Sequence, residues 1–134
     1  MNWSKALIGG LVGGIALNIT EWILHGFVMA STYAKYPDVF EQEMASPLYF
    51  LLVAVCVSFA AAILFSKTRS SWGEGAMGGA TFGFFLGLFA FFGHFYRPMV
   101  IDGYPYYLAW CQGSITLIAL VIVGAALGLV IKKS

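Results

Sequence analysis

The chain has 134 residues, of which 60% are hydrophobic and 10% charged, with a formal net charge of +1 and a mean hydropathy of +0.86. A soluble domain is about 45–50% apolar and about 25% charged, so this composition excludes an ordinary water-soluble globule and predicts an all-α integral membrane protein. The near-neutral charge, with no basic run beyond Lys132 and Lys133, offers nothing to a nucleic-acid backbone.

Four apolar runs, at about 6–30, 47–66, 75–96 and 106–131, are long enough to cross about 30 Å of hydrocarbon at about 1.5 Å per residue. They predict one transmembrane domain, 1–134, built as a four-transmembrane-helix bundle. The first run is longer than the apolar core of a signal peptide and contains Asn18, Glu21 and His25, so it is expected to be retained. Ser46-Pro47 reads as an N-cap followed by proline at the first helical position, opening the second run. Ser70, Ser71, Gly73 and Gly75 make a short connection to the third run. Pro98 is expected to end that run, and Gly103-Tyr104-Pro105 turns the chain into the fourth.

Lys5, Lys67, Arg69, Lys132 and Lys133 share the side of the termini and the middle loop. Lys35 and Arg97 lie opposite, among Asp38, Glu41, Glu43 and Asp102. The positive-inside rule places both termini in the cytoplasm and the 31–46 and 97–105 loops outside. Trp3 and Trp72 fall at the inner boundary and Trp110 at the outer, while all seven tyrosines, Tyr33, Tyr36, Tyr49, Tyr96, Tyr104, Tyr106 and Tyr107, fall at or beyond the outer one. Anchoring at headgroup level accounts for many of these rings. Their bias to one side also suits an aromatic, acidic outer surface for docking a partner.

A small or polar series recurs after 69 residues: Gly10, Gly14, Asn18, Glu21 and His25 become Gly79, Gly83, Gly87, Ala90 and His94. On an α-helix each series falls within about 80° of rotation, one narrow stripe that should face protein. The second and fourth runs match at an offset of 65, through Ala60/Ala125, Ala61/Ala126, Leu64/Leu129 and Lys67/Lys132. The pattern suggests a tandem repeat of two helical hairpins related by a pseudo-two-fold along the membrane normal. The first and third helices would then face each other, packed tightly at the inner end through Gly10-x3-Gly14 and the glycines at 75, 79, 83 and 87.

A carboxylate inside a membrane helix is costly unless partnered, so Glu21 and its neighbours form the candidate site. Four readings compete. In the structural one, Glu21 hydrogen-bonds His25 four residues on, and Asn18, His94 and Gln112 complete a polar cluster. In the second, His25 and His94, whose depths agree within about 3 Å, ligate a haem b iron from facing helices. Gly87, Ala90 and Gly93 would leave room for the porphyrin, Trp22, Phe91, Phe92 and Phe95 would line it, and Arg97 would meet propionates. In the third, His25, His94 and Glu21 form a two-histidine, one-carboxylate metal site. In the fourth, Glu21 and the histidines carry protons in a small transporter. Cys56 and Cys111, at depths differing by about 7 Å, read as small buried apolar side chains. No nucleophile motif or phosphate loop is present, so the chain is not expected to catalyse a reaction unaided.

Ile8-Gly9-Gly10-Leu11-Val12-Gly13-Gly14 followed by Asn18-Ile19-Thr20-Glu21-Trp22 resembles the first helix of small uncharacterised bacterial four-helix membrane proteins, which often show G-G-L-x-x-G and then N-x-x-E. The resemblance covers about a fifth of the chain. It implies a four-helix protein of the bacterial inner membrane and brings no activity, ligand or partner. The sequence thus predicts an accessory or scaffolding subunit of a larger membrane complex, in contact with lipid and with other subunits or further copies of itself. A bis-histidine haem electron carrier and a small proton-coupled transporter are the alternatives.

Overall fold

A computed structural model of the chain describes residues 2–29, 31, 35 and 47–132. Helix α1 spans Trp3–Ile23, α2 Pro47–Lys67, α3 Gly75–Gly93 and α4 Tyr106–Val130. All four, α3 together with its extension to Val100, are long and apolar enough to cross a membrane. The expected Ser46 cap, the acidic residues Asp38, Glu41 and Glu43, and Tyr33, Tyr36 and Lys133 lie outside the described residues.

The helix ends follow from local chemistry. Asn2 caps α1, its side-chain oxygen accepting from the Lys5 N–H at 3.2 Å. At the other end the helix widens into a π turn, Leu24–Val28, with Met29 N–H donating to Leu24 O at 3.0 Å. Helix α3 passes into a 3₁₀ turn at His94–Tyr96 and a one-turn helix at Arg97–Val100. The expected stop at Pro98 is therefore corrected. Pro98 sits in the first turn of that short helix, where its missing N–H leaves no bond unmade. The helix stops at Val100, where Ile101 goes into extended backbone, and Gly103, with a φ of +77°, then turns the chain toward α4.

Each glycine stripe packs against its own hairpin partner. A Cβ on Gly10 would lie 2.9 Å from the Phe59 backbone, and one on Gly14 2.7 Å from that of Val55, both in α2. In the second hairpin, Gly79 meets Gly124, Gly83 meets Leu120 and Gly87 meets Leu117, all in α4. The two offsets reappear in space. Gly10 and Gly79 differ by 69 positions, and the residues they meet, Phe59 and Gly124, differ by 65. Gly14 with Val55 and Gly83 with Leu120 repeat the relation.

The helices stand in the order α2, α1, α4, α3, with α4 packed against both α1 and α3. This corrects the expectation that α1 and α3 face each other, because each glycine face is already taken by its hairpin partner. The joint between hairpins is instead α1 on α4, where Gly9 fits against Leu127 and Ile131 and Gly13 against Val123. One continuous core runs through this joint, including Ala6, Leu17, Ala62, Phe65, Phe82, Ala119, Val123 and Leu127. A smaller cluster of Met29, Tyr104, Leu108 and Ile115 closes the other end.

Among the described residues the fourth side of the bundle is open. Phe82 occupies the place in the second repeat that Gly13 holds in the first, 69 residues earlier. Its ring packs on Phe65 of α2 at 5.0 Å and on Trp72 at 5.3 Å. Beyond this aromatic contact α2 and α3 diverge, leaving a groove of about 320 Å³ whose walls include Val57, Ala61, Leu86, Phe89 and Ala90 and whose lining includes Leu120 of α4. A glycine draws two helices together; a phenylalanine at the equivalent place holds them apart.

Candidate functional site

At the end of the bundle away from the termini, polar groups converge from α3, its extension and α4. His94 follows the last residue of α3, and its Nε2 lies 3.0 Å from Thr116 Oγ1. Thr116 donates in turn to the carbonyl oxygen of Gln112, one turn earlier, at 3.1 Å. The Gln112 side chain is buried, and its Oε1 accepts from Arg97 Nη1 at 3.0 Å and from the buried Tyr104 hydroxyl. A buried amide oxygen with two donors meets its hydrogen-bonding requirement. His94 Nδ1 is buried and makes no hydrogen bond among the described residues.

His25 enters the same region from the π turn. Charge on Arg97 acts on both imidazoles, and charge on His25 acts on His94. The structure thus brings His25, His94 and Arg97 into one electrostatic neighbourhood. Asn18 and Glu21 lie earlier on α1. Both are half-buried further down α1, on the stripe that continues from Gly10 and Gly14. Among the described residues neither makes a side-chain hydrogen bond.

Several expectations change accordingly. Gln112 joins Arg97 and Tyr104 rather than Glu21, because α4 presents it toward the α3 end. Among the described residues no three His, Cys, Asp or Glu side chains are placed to hold a metal ion, so Glu21, His25 and His94 do not assemble as a ligand set. The space expected at Gly87 is filled by Leu117, and Ala90 faces the groove. Trp22 and Phe92 point outward, while Phe91 and Phe95 pack on Trp110 at 5.6 and 5.2 Å. Cys56 is exposed rather than buried, because its face of α2 turns away from α1.

Two members of the network, Tyr104 and Thr116, were missed in the sequence. Thr116 had a signal, since it lies four residues after Gln112 and so on the same helical face. Tyr104 had none, because its inward turn depends on the positive φ at Gly103. Its neighbours behave differently: Tyr96, Tyr106 and Tyr107 are exposed, as is Tyr49 on α2.

Chemically, Gln112 anchors two separate sets of contacts: its side-chain oxygen holds Arg97 and Tyr104, and its backbone carbonyl holds Thr116, which meets His94. The groove, by contrast, offers only apolar contact. No protein family, curated protein or solved structure matches this chain.

Proposed function

We propose that the chain is a multi-pass protein of a bacterial inner membrane, with cytoplasmic termini, that serves as an accessory or scaffolding subunit of a larger complex. The supporting observation is the open side between α2 and α3. In lipid no hydrophobic force drives helices together, and association depends on close packing at small residues. Ala60 and Ala61 on one wall and Ala90 on the other let a third backbone approach, while Phe89 stands 82% exposed beside them. An apolar helix of a partner fills this space and recovers the dispersion contacts that an open groove forgoes. The exposed tyrosines at 49, 96, 106 and 107 extend the docking surface to the outer boundary.

Site-specific photo-crosslinkers placed at Phe89 and Ala60 in living cells test this. A discrete protein adduct is expected at both, lost when Val57→Trp at the exposed wall fills the groove, whereas a crosslinker at exposed Ile19 on α1 should give lipid adducts. Lipid adducts alone at all three positions would refute the subunit role.

A second reading, bis-histidine haem binding, draws on the shared neighbourhood of His25, His94 and Arg97 and on the π turn carrying His25, since such turns are frequent at functional sites. Here His94 would have to give up Thr116 to free Nε2. Reduced and oxidised absorption spectra of the purified protein decide it. A haem band abolished by either His25→Ala or His94→Ala would establish the carrier; its persistence in both variants would exclude bis-histidine ligation.

A further inference from the structure

At the opposite end of the molecule, the start of α3 and the end of α4 border a cavity of about 230 Å³, lined by Arg69, Glu74, Gly75, Gly128, Leu129 and Lys132. Arg69 is 7% exposed. Its Nε donates to Ile131 O at 2.8 Å, and its Nη1 donates to the carbonyls of Trp72 and Gly73 at 3.2 and 2.9 Å. Its Nη2 is buried with no hydrogen-bond partner among the described residues. Every acceptor it uses among the described residues is a neutral carbonyl, so no described carboxylate is bonded to its charge. Burying a charge in this way is expensive unless an opposite charge comes near.

The surroundings favour an anion. Helix α3 begins with Glu74 in extended backbone and no side-chain cap, which leaves its first N–H groups directed at the helix end. Gly75 has a φ of +68°, and a Cβ there would meet nothing within 4 Å, so the mouth is open. Lys132 brings a second cation to the rim. Glu74 is exposed at the same rim and opposes an anion. The balance is two cations and a 19-residue helix N-terminus against one carboxylate.

We propose that this cavity binds a phosphate group. On the membrane reading it lies near the depth of Trp72, on the side of the chain that also carries Lys5 and Lys67, where the headgroup of an anionic phospholipid would present a phosphodiester. Free phosphate carries the same chemistry. The site shares no residue with the α2–α3 groove, so its failure and that of the subunit role are separate results.

Thermal unfolding of the full chain in mild detergent, titrated in parallel with phosphatidylglycerol, phosphatidylcholine and inorganic phosphate, is the test. Phosphatidylglycerol should raise the midpoint saturably and phosphatidylcholine should not. Lys132→Gln should weaken the apparent affinity about fivefold, as expected for one surface cation, and Glu74→Gln should strengthen it. Both residues are exposed, so both variants should fold. An equal response to inorganic phosphate alone would assign the site to soluble phosphate. Identical responses to the two lipids with none to phosphate, or titrations unchanged in both variants, would overturn the proposal.

Discussion

Gly79→Leu should destroy the bundle. A Cβ at position 79 would land against the carbonyl oxygen of Gly124 and 2.7 Å from the amide nitrogen of Gly128, both backbone atoms of α4. Backbone in a helix cannot step aside as a side chain can, so α3 and α4 would have to separate along their whole seam. Overpacking of a tight core costs about 1–3 kcal/mol and occasionally more. A leucine held against the α4 backbone at two points belongs at or above about 3 kcal/mol. Gly93→Ala is the matched control. Nothing lies within 4 Å of its Cβ position and it is helical, so helix propensity alone predicts a gain of up to about 1 kcal/mol. Unfolding midpoints in detergent should therefore move in opposite directions for the two variants, and equal midpoints would mean that the seam is not tight.

Arg69→Ala should be the most damaging change outside the glycine seams. Its side chain ties the 69–73 connection to the end of α4 through three carbonyls and lies 4.7 Å from the centroid of the Phe65 ring. Leaving buried acceptors without donors costs about 1–3 kcal/mol each. Water at this end of the molecule will satisfy some of them, so a loss of about 3 kcal/mol is expected. Arg69→Lys should recover little, because one ammonium cannot span the fork from Ile131 O to Gly73 O. A lysine variant as stable as the parent would show that charge, rather than the guanidinium geometry, holds this end.

The four helices were legible because apolar runs of this length have few alternatives, and three of the four starting points fall within one residue of expectation. The glycine stripes were legible as packing faces but not as to which helix they pack on. Periodicity gives the direction of a face on its own helix and carries nothing about what stands opposite. Both hairpin partners had signalled the answer only jointly, through the offset of 65 that ties Phe59 to Gly124 and Val55 to Leu120. In the candidate site, His25, His94, Arg97 and Gln112 were found from polarity at depth, and the structure gathers them. Asn18 and Glu21 were grouped with them by spacing on an ideal helix. The structure gives Asn18 and Glu21 no side-chain hydrogen bond to that group among the described residues, and the π turn that carries His25 is a feature of which a single sequence gives little warning.

The central place of α4 has a consequence for how the molecule is made. The glycine seams lie within each hairpin, so α1 and α2 can pair while the rest of the chain is still being synthesised. Helix α3 has its main partner in α4 alone, and the joint between hairpins, α1 on α4, unites the first helix with the last. Until the ribosome has delivered residues 106–130, α3 has little to lean on beyond the contact of Phe82 with Phe65 and Trp72, and the cluster of Tyr104, Leu108 and Ile115 does not exist. A nascent chain interrupted anywhere before that point presents an orphan helix with a bare row of glycines, a form that quality-control proteases can tell from the finished protein.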